Sequence, residues 1–376
     1  MIDPFLRLLL LFAIAVGILI VLFMLLIIIL RIRHVVNEKR YRFKSQLWEG
    51  YFFDYLQDEI PLENAVKRFK RETNYNWLRL FFTTYLEKLD GRDFEKTKIL
   101  CREIGLIDYY RKKLHHSTTT GKALAAKTLG ALRHQESVPQ MVKLLRSNNP
   151  ILIQAAAYGL SKSGDTDSFI NAAMALLKNT YFTYEGTAEI LTGYGEKICP
   201  IINQFLKEES QNILPETNRQ ERRKPAYSHN KDSIDPAVLI SLMVNLIGYY
   251  RYEQALPQLD NLLKSSDEET TVHILKAFQR IGKVPPNFDV KPYLQHYYWV
   301  VRSFGAQIWI FTGDSSALPQ LEKMLSDRHW WVRFHTASAL KKAGAEGIAI
   351  LKRKATKETG TAADISRYVI YLKEVR

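Results

Sequence analysis

Two tryptophan–arginine pairs stand 31 residues apart in this 376-residue chain: Trp299 with Arg302, and Trp330 with Arg333. Tyr297 and Tyr298 precede the first pair, and Trp331 and His335 accompany the second. A spacing of three makes the members of each pair neighbours on a helix surface, so the four side chains would form parallel rungs on adjacent helices. Indole and phenol rings beside guanidinium groups do not break bonds. They bind, through stacking, cation–π contact and charge-assisted hydrogen bonds, and these residue types dominate binding hot spots. The candidate partner-binding residues are therefore Tyr297, Trp299, Arg302, Trp330, Trp331 and Arg333, able to hold a peptide, an anionic ligand or unpaired bases. The competing reading is a scaffolding one, in which the tryptophans fill gaps between helices and the arginines pair with Asp314 or Asp327.

Chemistry of other kinds is poorly supplied. Metal sites need clustered His, Cys or carboxylates at ligand spacing, but of nine histidines only His115 and His116 are adjacent. Helical neighbours point about 100° apart, and this pair precedes Ser117 and a threonine run, which reads as an exposed helix end. Cys101 and Cys199 lie far apart with no CxxC spacing, which excludes a disulfide framework and a Cys-rich zinc module and fits two small buried hydrophobes in a reducing compartment. No GxSxG elbow occurs, and the 18 glycines stand singly rather than in a phosphate-cradling loop. No catalytic residue, metal or cofactor is expected, and the chain reads as non-enzymatic.

The elements that must position the rungs begin with an anchor. Leu8 to Leu30 is uncharged and almost wholly apolar, bounded by Arg7 and Arg31. At about 1.5 Å per residue it spans the roughly 30 Å hydrocarbon core. The run passes into Arg31-Ile32-Arg33 with no small-residue cleavage site, so a retained transmembrane helix is expected over 8–30. Residues 31–44 then carry Arg31, Arg33, Lys39, Arg40, Arg42 and Lys44 against the single Glu38. Basic flanks stay in the cytoplasm and are drawn to anionic lipid, so these six are the candidate membrane-surface residues and residues 1–7 the short extracytoplasmic end. The formal charge is +14; once this segment is set aside the remainder permits a polyanionic partner without demanding one.

Most of the rest repeats. Trp299, Val301, Arg302, Ala306 and Gly313 return 31 residues later as Trp330, Val332, Arg333, Ala337 and Gly344. Ala255-Leu256-Pro257-Gln258-Leu259 returns as Ala317-Leu318-Pro319-Gln320-Leu321. An apolar register mark recurs at Leu129, Leu160, Leu191, Leu246, Phe278, Trp309 and Leu340, with spacings of 31, 31, 55, 32, 31 and 31. The long interval contains residues 210–233, a polar stretch with Arg219, Arg222, Arg223 and Lys224 that reads as an exposed insertion. Helix starts are marked at Asn149-Pro150 and Asp235-Pro236, and Ser266 with Glu269 has the capping-box pattern. Each unit is thus a helical hairpin that cannot bury its own apolar face. Seven stacked in series predict an all-α, right-handed α-solenoid: repeats 1–3 over 117–209, repeats 4–7 over 234–356 and a C-terminal helix over 357–376.

These residues, with Gly313-Asp314, Asp327, Trp331-Val332-Arg333 and Ala337 through Leu340, resemble the HEAT-repeat pattern. More narrowly they resemble the short bacterial type found also in phycobilisome-lyase-like proteins. The resemblance covers roughly residues 117–356 and implies a fold more than an activity. Arg133 stands where a turn glycine is expected, and the unit around Phe288 to Leu294 has a shortened, proline-rich second helix. No His-Glu dipeptide occurs, unlike the di-iron hydroxylase branch of HEAT-repeat proteins.

Residues 45–116 lack the repeat and are dense in aromatics, among them Trp48, Phe52, Tyr55, Phe69, Phe81 and Phe82. They read as a helical cap on the solenoid, or, for Trp48 to Tyr55, as a surface in the membrane interface or against a partner's transmembrane helix. The organisation as a whole predicts a membrane-tethered scaffold that binds a protein partner, itself membrane-associated. A membrane enzyme or export assembly fits, such as an envelope polysaccharide synthesis or secretion system of a bacterial inner membrane. Nucleic-acid or anionic-ligand binding by the basic solenoid is the alternative, and a lyase-like enzyme a further one.

Overall fold

The computed structural model describes residues 4–212, 234–264 and 266–372, and every regular element among them is helical. The chain divides into two compact units, residues 1–121 and 122–376.

The first unit is built on one long helix. α1 (Pro4–Leu56) runs 53 residues without a break, joining the apolar span, the basic segment and the start of the aromatic region that the sequence suggested as three pieces. The cause is local. No proline stands between Arg31 and Leu56, Arg, Lys, Glu, Gln and Leu are good helix formers, and Glu38 pairs one turn on with Arg42 at 2.6 Å. The apolar part is long and apolar enough to cross a membrane, and its most apolar window has no buried share.

The far end of α1 is anchored. Tyr41, Ser45, Trp48, Phe52 and Tyr55 recur at alternate spacings of four and three, which keeps them on one stripe. That stripe meets α2 (Leu62–Phe69) and α3 (Tyr75–Leu86): Trp48 lies 6.1 Å from Phe69 and 5.6 Å from Phe81, and Phe52 lies 5.8 Å from Phe82, centroid to centroid. Lys96 on α4 (Gly91–Glu103) donates 2.8 Å bonds to the carbonyls of Tyr55 and Leu56, placing a cation on the last carbonyls of α1. α5 (Leu106–His116) completes the set. With Trp48, Phe52 and Tyr55 buried in this cluster, the membrane-interface reading of Trp48 to Tyr55 gives way to an internal core.

The second unit alternates two layers of helices. The first holds α6 (Thr119–Ala131), α8 (Pro150–Ser163), α10 (Tyr184–Thr192), α12 (Pro236–Tyr250), α14 (Glu268–Ile281), α16 (Trp299–Trp309), α18 (Trp330–Lys342) and α20 (Thr361–Tyr371). The second holds α7 (Val138–Leu144), α9 (Phe169–Leu177), α11 (Cys199–Asn212), α13 (Leu256–Leu263), α15 (Lys291–Leu294), α17 (Leu318–Met324) and α19 (Ala345–Lys357). This is an all-α solenoid of HEAT-like repeats, in which helices consecutive in the chain pack together, as α7 on α8 and α18 on α19, and first-layer helices pack on those of the next repeat, as α12 on α14, α14 on α16 and α16 on α18.

Its register is the one the spacing implies, because Leu129, Leu160, Leu191, Leu246, Phe278, Trp309 and Leu340 are all buried. The turns refine it. Backbone with positive φ recurs at Arg133, Gly164, Gly195, Arg251, Gly282, Gly313 and Gly344, at intervals of 31, 31, 56, 31, 31 and 31. The turn thus places the unit after the insertion one residue later than the apolar mark does. Arg133 and Arg251, at φ 50° and 53°, take the left-handed conformation that glycine supplies elsewhere. Where helices meet most closely a side chain is excluded: a Cβ on Gly130 would lie 2.1 Å from the Gly159 carbonyl oxygen.

Two of the marked helix starts hold. The Asn149 and Asp235 side chains accept from the Ile151 and Ala237 amides at 3.0 and 2.9 Å. The third is displaced by one residue, since Asp267, not Ser266, caps α14 by accepting from the Thr270 amide at 2.7 Å. Between α14 and α16 the second helix is cut to the four residues of α15, with Val290 and Leu294 still filling the core. Of the insertion expected over 210–233, the first residues continue α11 to Asn212. Residues 213–233, with Arg219, Arg222, Arg223 and Lys224, lie outside the described residues, as do residues 373–376 beyond α20.

Candidate partner-binding site

The tryptophan–arginine rungs sit on the first turns of α16 and α18, side by side in one layer. Each arginine does the same local work. Arg302 Nη1 donates to the carbonyls of His296 and Tyr297 at 2.7 and 2.8 Å. One repeat on, Arg333 Nη1 donates to the carbonyls of Asp327 and Arg328 at 2.7 and 3.2 Å. Each guanidinium therefore reaches back to the carbonyls five and six residues earlier and closes the loop that leads into its own helix.

Beyond that shared step the two rungs differ. Asp327, from the loop of the following repeat, grips Arg302 in a bidentate pair, Nε at 2.8 Å and Nη2 at 3.0 Å, and also accepts from the His329 amide at 2.9 Å. Both side chains are about nine-tenths buried, at 10% and 11% exposure. Burial works to raise the Asp327 pKa, but the bonds from Arg302 and the His329 amide outweigh it and hold the carboxyl below its ordinary value. The imidazole of His329 in turn stacks on Trp299, 5.3 Å between centroids and 15° between planes. Arg302 and Trp299, both candidate partner-binding residues, are thus fastened inside the scaffold. The Arg302 guanidinium, buried against the Asp327 carboxylate, is occupied within its own chain.

The second rung is open. The residue 31 positions after Asp327 is Glu358, and its carboxylate pairs instead with Lys354 at 2.7 Å. Arg333 is left with a buried Nε that makes no hydrogen bond. The residue 31 positions after His329 is Gly360, where an added Cβ would meet nothing within 4 Å. Trp330, with no ring laid on it from the next repeat, stacks on Phe334 of its own helix at 5.1 Å and is 43% exposed. Trp331 stacks on His335 at 5.8 Å and is 52% exposed. Tyr297 is 69% exposed, its hydroxyl donating to the Glu268 carboxylate. Trp330, Trp331 and Phe334 make a terrace of rings with Arg333 at its edge, an arrangement suited to binding and not to catalysis.

A second concavity lies between α10, α12 and α14, a groove of about 610 Å³. Half-buried Lys276 and Arg280 stand on its floor, and exposed Glu185, Glu189 and Glu269 on its rim. Burial first, then the charges of Lys276 and Arg280, push the His273 pKa down, which favours the neutral imidazole. The sequence signal for the two cations was their spacing of four, which stacks them on one helix face, but nothing in the sequence alone distinguished that face from a solvated one.

Other sequence candidates fall apart in space. His115 and His116 are exposed at the end of α5 with rings 5.9 Å apart. Cys101 and Cys199 are buried, and burial pushes the Cys199 thiol up to about 12. Among the described residues no group of three or more His, Cys, Asp or Glu could hold a metal ion. Of the six candidate membrane-surface cations, Arg31, Arg33, Lys39 and Arg40 are exposed, and exposed Arg42 pairs with Glu38. Lys44 is turned to the protein, paired with the Glu72 carboxylate and set 5.1 Å over the Trp77 ring.

The family model for HEAT repeats matches residues 107–191, which cover the first two hairpins of the solenoid and run through α10. Among solved structures the chain is similar to a crystal structure of an engineered protein from the Northeast Structural Genomics Consortium, 15% identical, covering 83% of this chain and 98% of that one, with a TM-score of 0.26. No curated protein matches the sequence.

Proposed function

We propose that the protein is a membrane-tethered, non-enzymatic scaffold, held by the first part of α1 and recruiting a membrane-associated protein through the α18 terrace. The observation that carries this reading is the continuity of α1: an apolar span, unburied, and a body-anchoring stripe belong to a single 53-residue helix. A continuous helix transmits position as well as attachment. At about 1.5 Å per residue, the stretch from Arg31 to Tyr41, where packing begins, sets the packed part of the first unit roughly 15 Å from the membrane surface for a helix along the membrane normal. Arg31 and Arg33 then lie at the headgroups, with Lys39 and Arg40 farther out, the arrangement expected of a cytoplasmic flank. Tethering the chain to a membrane raises its effective concentration toward anything that diffuses in the same membrane. A membrane enzyme or an export assembly, as in envelope polysaccharide synthesis or secretion, is the kind of partner this geometry serves.

The test is affinity purification in mild detergent, with mass spectrometry of retained proteins, from full-length protein, from a copy beginning at Arg31 and from the full-length W330A/W331A double variant. The copy begins there because every residue of the packed stripe is kept. One membrane protein retained by full-length chain and lost from both altered forms is the expected result. Equal retention by all three, or none by any, overturns the reading.

A further inference from the structure

The solenoid contains its own description of what the open rung lacks. At α16 the loop of the next repeat delivers two groups in fixed order, a carboxylate from Asp327 onto Arg302 and, two residues later, a ring from His329 onto Trp299. At α18 the corresponding arginine and tryptophan are present with the same backbone anchoring, but the next loop delivers neither group. Glu358 is held by Lys354, and Gly360 has no ring. A guanidinium edge that no carboxylate of its own chain engages is a place where an incoming carboxylate makes a charge-assisted bond. An indole lacking its stacking neighbour leaves apolar area in water.

From this we infer that α18 receives from a partner protein the pair of groups its own repeat withholds: an aspartate or glutamate on the outer edge of the Arg333 guanidinium and, two residues further along, an aromatic or imidazole ring on Trp330. The inference deepens the scaffold reading and rests on it, by naming the chemistry of the segment that the terrace accepts. The carboxylate supplies direction, since Arg333 Nη1 already donates to the Asp327 and Arg328 carbonyls and only the opposite edge is left to donate a new bond. The ring supplies most of the buried area. A nucleic acid would instead place phosphate at Arg333 and bases on the terrace, with no requirement for a fixed spacing between acid and ring.

The experiment is selection of a displayed library of short random peptides on the detergent-solubilised full-length protein, with the best peptides resynthesised and their affinities measured. The expected result is enrichment of an acidic residue two positions before His, Trp, Tyr or Phe. Binding should fall about tenfold or more for R333K and W330A, and equally when the peptide's acid is replaced by its amide. R333K keeps the charge and loses the fork; unchanged thermal unfolding of that variant separates lost recognition from lost folding. K276Q in the α14 groove should leave affinity unchanged. Peptides without the paired pattern, or binding indifferent to R333K, overturn the inference while leaving the scaffold reading to the co-purification test. So does displacement of selected peptides by single-stranded oligonucleotide in preference to an acidic peptide.

Discussion

α16 and α18 carry the same tryptophan and arginine on their first turns, and the two rungs have opposite fates. On α16 the guanidinium and the indole are both completed by the loop of the next repeat; on α18 that loop holds Glu358 and Gly360 and completes neither. The difference teaches that in a solenoid the role of a residue is decided one period downstream. A motif that repeats in sequence is scaffold wherever its successor supplies the partner, and surface where the successor does not.

The largest effect should come from breaking the completed rung. Removing one member of a buried, bidentate ion pair leaves the other uncompensated, so R302M or D327N should each cost about 3 kcal/mol of unfolding free energy in urea titration. The matching change R333M removes only backbone anchoring and should cost about 1 kcal/mol or less. Equal losses at the two positions would mean that Arg333 has a partner in solution that makes the rungs alike.

This contrast marks where the sequence was legible. The 31-residue echo paired Arg302 with Arg333 and Trp299 with Trp330, and its register marks fall on buried residues throughout. Periodicity reads well because it reflects burial, which every repeat must satisfy in the same way. What it could not show was the asymmetry, because Asp327 and Glu358 are both acids at the same register and only their neighbours differ: one faces Arg302, the other is drawn off by Lys354 one turn earlier. The unbroken α1 was likewise hidden, since a change from apolar to basic residues alters what surrounds a helix without ending it. Tolerance of Arg133 and Arg251 at left-handed turns belongs to the same class, a place where tertiary packing overrides local preference.

A smaller effect separates the rungs by pH. Phe304 on α16 corresponds to His335 on α18, whose pKa is lowered by burial and then by the charge of Lys342. An imidazole held neutral in the fold binds its proton more weakly than in the unfolded chain. Its contribution is therefore fully present above the unfolded value near 6.5 and is lost as pH falls from there toward the folded value. H335F should flatten the decline of thermal stability below neutral pH, and F304H should steepen it. His273, lowered by burial and by Lys276 and Arg280, leaves a residual slope in both variants. An unchanged acid limb in H335F would show that this imidazole is solvated.

The smallest stability effect belongs to the most exposed tryptophan of the terrace. Trp331 is 52% exposed, and its ring contacts, to Trp330, Phe334 and His335, lie along its own helix. W331A should therefore change unfolding free energy by about 0.5 kcal/mol or less. Trp299, clamped by His329 between two repeats, has more to lose, and W299A should cost roughly 2–3 kcal/mol. Partner retention should rank the other way, with W331A losing the co-purified protein and W299A keeping it at temperatures where the variant stays folded. A ranking in which stability and retention fall together at both positions would return the terrace to the scaffold.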